Sequence, residues 1–244
     1  MLKMEFNEAR INGFSFFVRP NAFWESFNAS WEADTKAFYR RHTHPGKSVL
    51  DIGAWIGPTV LTAYANNAKH IYAVEADPCN FHILKNNCAL NNIADKVTLI
   101  NRCIYINTGE VISFGKEFNQ GDSSTKTFSF GDEGVKVLTS TLTDLIKDNN
   151  IKVEELCIVK IDIEGSEALL IDDLIKLAEY KDLCVSLAMH PCFWPERKKV
   201  AASFAPAFVH YDLYDKKEQP LDLEGHLRLA LSSEAYDLIL KPKR

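Results

Sequence analysis

Residues Val49 to Gly57 read Val-Leu-Asp-Ile-Gly-Ala-Trp-Ile-Gly, and Glu75-Ala76-Asp77-Pro78 closes a second apolar run about one βα unit later. Asp-x-Gly-x-x-x-Gly after apolar residues predicts a strand that stops at a glycine turn and hands over to a helix. Pro58 suits the first position of that helix, where its missing N–H costs nothing. An acidic side chain ending the next strand, here Glu75, suits the two hydroxyls of a ribose. Together these features predict a nucleoside-binding crevice in an open α/β sheet.

Dinucleotide sites usually carry G-x-G-x-x-G, whose middle glycine lets a pyrophosphate lie on the helix N-terminus. That glycine is absent here. The strand carries Asp51 instead, which repels a pyrophosphate and suits the ammonium of a methionine-derived ligand. The residues therefore favour S-adenosylmethionine over NAD. Its expected contacts are Asp51, Gly53, Ala54, Gly57, Glu75 and Ala76, with Asn101 and Cys103 flanking the adenine and Asp162 joining from a second cluster.

Apolar strand patterns at 49–52, 70–75, 97–101, 156–161 and 183–189 alternate with helical patterns at 58–67, 78–91, 142–148 and 166–178. This rhythm predicts an α/β fold with a doubly wound, mostly parallel sheet. Three further strands are expected at 207–213, 226–231 and 236–240, two of them as a C-terminal antiparallel pair. Between Ile104 and Thr139 the rhythm lapses, and strands at 111–114 and 135–138 predict an inserted hairpin with a mobile tip near Asn119 to Thr125. Phe14–Val18 reads as a strand, and Trp31, Thr35, Phe38 and Tyr39 fall at helical spacing. Residues 1–45 are thus expected as an appendage packed on the cleft of a single domain, 46–244.

The chain has 244 residues and a net charge of −5. No apolar run approaches the ~20 residues a membrane span needs, so no membrane contact is expected. The first residues carry no secretory apolar segment, which makes the cytoplasm the expected location. Six cysteines without a C-x-x-C pair read as reduced thiols. The acidic balance argues against a nucleic-acid partner.

A second cluster, Lys160-Ile-Asp162-Ile-Glu164-Gly165-Ser166-Glu167, follows the fourth parallel strand. Strand alternation, if it persists, puts Lys160, Asp162 and Glu164 on one side. Three buried carboxylates need a cation, and Lys160, a sulfonium or a metal would serve. Alternatively Glu164 and Glu167 sit in the first helical turn, where the dipole favours them. His190 closes the next strand, so its imidazole is expected in the same crevice as a proton acceptor. A magnesium ion on Asp162 and Glu164 is possible but not expected, and no metal ligand is assigned.

With Val-Leu-Asp51-Ile-Gly53-Ala54-x-x-Gly57, Val-Glu75-Ala76-Asp-Pro78, the asparagines Asn86, Asn87 and Asn91, Thr141-Leu-Thr-Asp144-Leu, and Lys160-Ile-Asp162-Ile-Glu164-Gly165-Ser-Glu167, the chain resembles the FkbM family of S-adenosylmethionine-dependent methyltransferases. The resemblance runs from about Trp31 to His190. It implies a class I, Rossmann-like methyltransferase domain acting mainly as an O-methyltransferase, with a small-molecule or sugar/glycan hydroxyl as acceptor. The catalytic candidates are then His190, Asp162, Lys160 and Glu164. Two departures stand out: Trp55 replaces a frequent Asn, and no Glu precedes His190. The chain also lacks the Pro-Pro-Tyr type motif of amino-group methylation, which favours oxygen. The alternatives are an RNA methyltransferase of the same fold, suggested by the Asn-rich second helix, and a non-catalytic S-adenosylmethionine-binding protein.

Overall fold

The computed structural model describes residues 6–114 and 134–244. The chain opens with an antiparallel hairpin, β1 (Asn7–Ile11) and β2 (Phe14–Val18), then helices α1 (Phe23–Ala29) and α2 (Ala33–His42). Alternation follows in β3 (Ser48–Ile52), α3 (Pro58–Ala65), β4 (Ile71–Val74), α4 (Pro78–Leu90) and β5 (Val97–Ile100). A three-stranded unit interrupts it: β6 (Cys103–Ile104), β7 (Val111–Phe114) and β8 (Val135–Ser140). It resumes with α5 (Leu142–Asp148), β9 (Leu156–Ile161), α6 (Ile171–Leu177) and β10 (Cys184–Met189). Helices α7 (Arg197–Ser203) and α8 (Ala205–Phe208), strands β11 (Tyr211–Asp215) and β12 (Pro220–Leu221), α9 (Leu223–Ser232) and β13 (Tyr236–Pro242) complete it.

The large sheet has the order β12-β11-β13-β10-β9-β3-β4-β5 among the described residues. The strands from β10 to β5 are parallel, and β13 inserts antiparallel between β10 and β11. Strand order runs outward from β3 to β5, then restarts at β9 on the other side of β3. That reversal opens a crevice at the carboxyl ends of β3 and β9.

Every residue of β3 and β9 is buried, as strands covered on both faces must be. Side-chain alternation divides them. Leu50, Ile52, Val159 and Ile161 pack with Leu145, Leu174, Leu177 and Phe204. Val49 and Ile158 pack on the opposite face with Val60, Leu61 and Leu84, and with Trp24, Phe27, Phe38 and Tyr39 from the N-terminal segment. The α4 asparagines bind that segment to the sheet. Asn91 accepts from the Phe17 N–H at 2.8 Å and donates to its carbonyl at 2.7 Å. Asn87 accepts from Arg19 N–H and donates to the Ile56 carbonyl.

Three sequence expectations need correction. Residues 226–231, expected as a strand, lie in α9. Leu227, Leu229 and Leu231 mimic a period of two, yet Leu231 is exposed, while Gly225, His226 and Ala230 are buried on a helical face capped by Asp222. The expected strand 207–213 begins only at Tyr211, after α8. The expected helix 166–178 starts as a 3₁₀ turn, Glu167–Leu170, before α6. The predicted hairpin strands exist as the antiparallel pair β7 and β8, and the expected mobile tip lies outside the described residues.

Candidate active site

The carboxyl ends of β3, β4, β9 and β10 surround a cavity of about 450 Å³. Its walls include Gly53, Ala54, Glu75 and Ala76 on one side and Lys160, Asp162, Glu164 and His190 on another. Phe23, Trp31 and Glu32 from the N-terminal segment complete it. Phe23 packs edge-on against Trp55 with ring centroids 4.5 Å apart.

The chain leaves β3 through Gly53 at φ +79°. A Cβ there would stand 1.8 Å from the main-chain oxygen of Asp162, so the glycine is demanded by the neighbouring strand's backbone. Trp55, at φ +51°, donates its N–H to one oxygen of Glu75 at 2.7 Å, and Asp77 donates to the other at 2.8 Å. Glu75 is almost fully buried. Burial pushes its carboxyl up to about 7 against the pull of these two donors. Each oxygen keeps a further acceptor site.

Lys160 ties the two halves together. Its ammonium stands 3.3 Å from Asp51 and 3.4 Å from Asp162, and donates to the Gly53 carbonyl at 2.7 Å. Burial opposes its charge, but Asp51 and Asp162 override this and hold its pKa above the ordinary lysine value. Asp51 has no exposed surface, and Thr59 donates to its other oxygen at 2.5 Å.

Beyond β9 the chain turns through Glu164 at φ +51° and Gly165 at φ +98°. Strand geometry therefore stops at Ile161, and this turn brings Glu164 round to Asp162 and His190. His190 Nε2 lies 3.6 Å from Asp162 and 3.7 Å from Glu164, while Nδ1 lies 2.8 Å from the buried Glu167. Burial alone would depress the imidazole. The hydrogen bond to Glu167 and the charges of Asp162, Glu167 and Glu164 raise it to about 9 instead. Burial raises Glu164 to about 7, opposed by His190.

Most residues singled out in the sequence converge on this cavity, but three do not line it. Asp51 lies beneath the wall, occupied by Lys160 and Thr59. Gly57 caps α3, where a Cβ would approach Leu84 to 2.8 Å. Asn101 spends its amide on the carbonyls of Glu75 and Ala76, while Arg102, Cys103 and Ile104 reach the cavity. The sequence reading assigned no site role to Glu32 or Arg102, whose positions carry no motif. Glu167 is expected from the sequence either in the acidic cluster or in the first helical turn; it opens the 3₁₀ turn Glu167–Leu170, and its bond to His190 goes beyond both expectations.

The residues present suit S-adenosylmethionine. The nearly buried Glu75 carboxylate offers free acceptor positions for a diol, Val74, Cys103 and Ile104 give an adjoining apolar wall, and the volume falls within the range of small-ligand sites. An open sheet of this order with its crevice at the β3–β9 reversal defines the class I, Rossmann-like methyltransferase fold. Residues 51–190, more than half the chain, match the methyltransferase FkbM domain, and the chain belongs to that family of S-adenosylmethionine-dependent methyltransferases.

Over 60 residues the chain is 32% identical to ribosomal protein L11 methyltransferase of Carboxydothermus hydrogenoformans, covering 25% of this chain and 20% of that one. Among solved structures, a Streptococcus mutans protein described as a SAM-dependent methyltransferase superposes over 97% of this chain and 55% of its own, with 10% identity and a TM-score of 0.53. A SAM-dependent methyltransferase of Agrobacterium tumefaciens superposes over 98% of this chain and 71% of its own, with 13% identity and a TM-score of 0.51. The chain thus spans a fifth of the curated relative and about half of the streptococcal protein. At these structural identities the likeness is one of fold. No helix among the described residues is long and apolar enough to cross a membrane.

Proposed function

We propose that this chain methylates an oxygen acceptor, a hydroxyl of a small molecule or of a sugar or glycan. The observation that carries this reading is one cavity holding Glu75 on one wall and the Asp162–Glu164–His190 cluster on another. S-adenosylmethionine, when bound, supplies an electrophilic methyl group on sulfur. Glu75 holds the ribose hydroxyls, Gly53 and Ala54 form the floor, and the aromatic wall of Phe23, Trp31 and Trp55 shields the site from water.

A hydroxyl acceptor must lose a proton. The sequence makes His190 the expected proton acceptor, with Asp162 among the other catalytic candidates. At about 9, however, the imidazole holds its proton at neutral pH. The role therefore passes to the carboxylates: Glu164, at about 7, is suited to accept a proton near neutrality, with Asp162 beside it. Lys160 and His190 balance the charge. The Asn-rich helix that suggested RNA is engaged, through Asn87 and Asn91, in holding the N-terminal hairpin, and the net charge of −5 favours a small acceptor.

Calorimetric titration with S-adenosylmethionine and S-adenosylhomocysteine, followed by a panel of alcohols, phenols, sugars and amines, tests the proposal. Binding with methylation of hydroxyl compounds is expected. Failure of folded protein to bind either ligand, or methylation confined to amines, would overturn it. Binding without any transfer across the panel would instead mark a non-catalytic protein.

A further inference from the structure

We propose that Asp162, Glu164 and His190 form a divalent-metal site on the cavity wall. Their nearest ligand atoms all lie within 4.8 Å of one another, with Nε2 of His190 3.6 Å from Asp162 Oδ1 and 3.7 Å from Glu164 Oε2. Neither separation is a hydrogen bond. Ligands sharing an octahedral ion at bond lengths of ~2.1 Å stand about 3 Å apart, so modest side-chain rotation closes the set.

The surroundings point the same way. Glu167, with no exposed surface, accepts from Nδ1 of His190. A buried carboxylate on one ring nitrogen fixes the tautomer and leaves the other nitrogen's lone pair for a cation, the arrangement that orients metal-bound histidines. Lys160 approaches the other oxygen of Asp162, Oδ2, and so leaves Oδ1 to face the imidazole. Between Nε2 and two carboxylate oxygens only a cation is stable, either a proton or a metal ion. Two carboxylates with one imidazole suit manganese or magnesium rather than a thiophilic ion. The sequence makes a magnesium ion on Asp162 and Glu164 possible but not expected; the proposed site adds His190 to those two carboxylates.

The ion's role rests on the proposed methyl transfer. Held by Asp162, Glu164 and His190, such an ion would lower the pKa of a bound acceptor hydroxyl, and the hydroxyl's proton would then leave to water, with Glu164 acting as a ligand in place of a base. Ion binding itself stands apart from that reading.

Manganese EPR on the purified full chain, titrated with MnCl₂, measures the site directly, alongside calorimetry with S-adenosylhomocysteine. One bound Mn²⁺ per chain is expected, weakened at least about tenfold in each of Asp162→Asn, Glu164→Gln and His190→Gln, and retained in Glu75→Ala. No Mn²⁺ bound at millimolar concentration by protein that binds S-adenosylhomocysteine would overturn the metal site and leave methyl transfer standing. Affinity unchanged in all three cluster variants would also overturn it. Mn²⁺ bound as expected without nucleoside binding would support the site and sink the proposed function instead.

Discussion

Nδ1 of His190 lies 2.8 Å from Oε1 of Glu167, a carboxylate without exposed surface that also accepts the Gly165 N–H at 3.0 Å. One buried acid thus fixes both the imidazole and the turn that carries Glu164. The imidazole cannot rotate without leaving Glu167 short of a donor, so the ring is preorganised before anything enters the cavity.

That relationship predicts a titration. In metal-free protein the folded imidazole titrates at about 9 against a reference of 6.5. Its stabilising contribution is therefore complete below 6.5 and is lost as pH rises through about 9. Glu167→Gln keeps a partner for the ring but removes a charge. The His190 titration, followed by proton NMR, should move down toward neutrality, and the alkaline loss of stability should begin earlier. An unmoved titration would show that Glu167 does not set it.

Glu75 makes cofactor affinity depend on pH. Its ionised form is the stronger acceptor of ribose hydroxyls, and burial holds its pKa at about 7. Calorimetric affinity for S-adenosylhomocysteine should fall below pH 7 with a slope approaching about tenfold per unit. Glu75→Gln should flatten that slope. Glu75→Ala should weaken binding roughly 100-fold at pH 8, about 2.7 kcal/mol. A pH-independent affinity in the parent protein would place the ribose elsewhere.

Lys160→Met removes the cation from a buried Asp51 and from the Gly53 carbonyl together. Breaking a buried pair from one side costs about 3–5 kcal/mol. In a chain of this size that corresponds to a thermal midpoint lower by about 10 °C. Adding Asp51→Asn should recover part of the loss, because the orphaned charge then disappears. Additive losses in the double variant would mean that the pair is not coupled.

The sequence made the parallel sheet legible because buried strands such as β3 and β9 are short apolar runs bounded by glycine, acid and cap residues. It misled at α9, where leucines at alternate positions imitate a strand and only the tertiary packing of His226 and Ala230 shows the helix. Within the site, Gly53 and Glu75 were readable as residue types. The reason for Gly53 was not, since the crowding atom is the main-chain oxygen of Asp162, more than 100 residues away. Asn101 does not line the cavity, because its amide donates to the carbonyls of Glu75 and Ala76. Glu32 and Arg102 were illegible because their placement depends on how separate segments meet.

Gly53→Ala and Gly109→Ala separate two ways in which a glycine can be required. Both residues have positive φ, +79° and +85°. At Gly109 an added Cβ meets nothing within 4 Å, so the substitution costs only the left-handed backbone, about 1–2 kcal/mol. At Gly53 the same Cβ meets the Asp162 oxygen at 1.8 Å, in backbone that is tied to β3 by the Asp162 N–H donating to the Ile52 carbonyl at 3.0 Å. Relief requires pushing the β9 turn outward, which carries Asp162 and Glu164 away from His190. Gly109→Ala should therefore melt slightly early and bind S-adenosylhomocysteine as the parent does. Gly53→Ala should lose far more stability, and any folded fraction should lose nucleoside binding as well. Equal losses in the two variants, measured by chemical denaturation and calorimetry, would show that left-handed backbone strain, and not the contact with β9, is what fixes glycine at the end of β3.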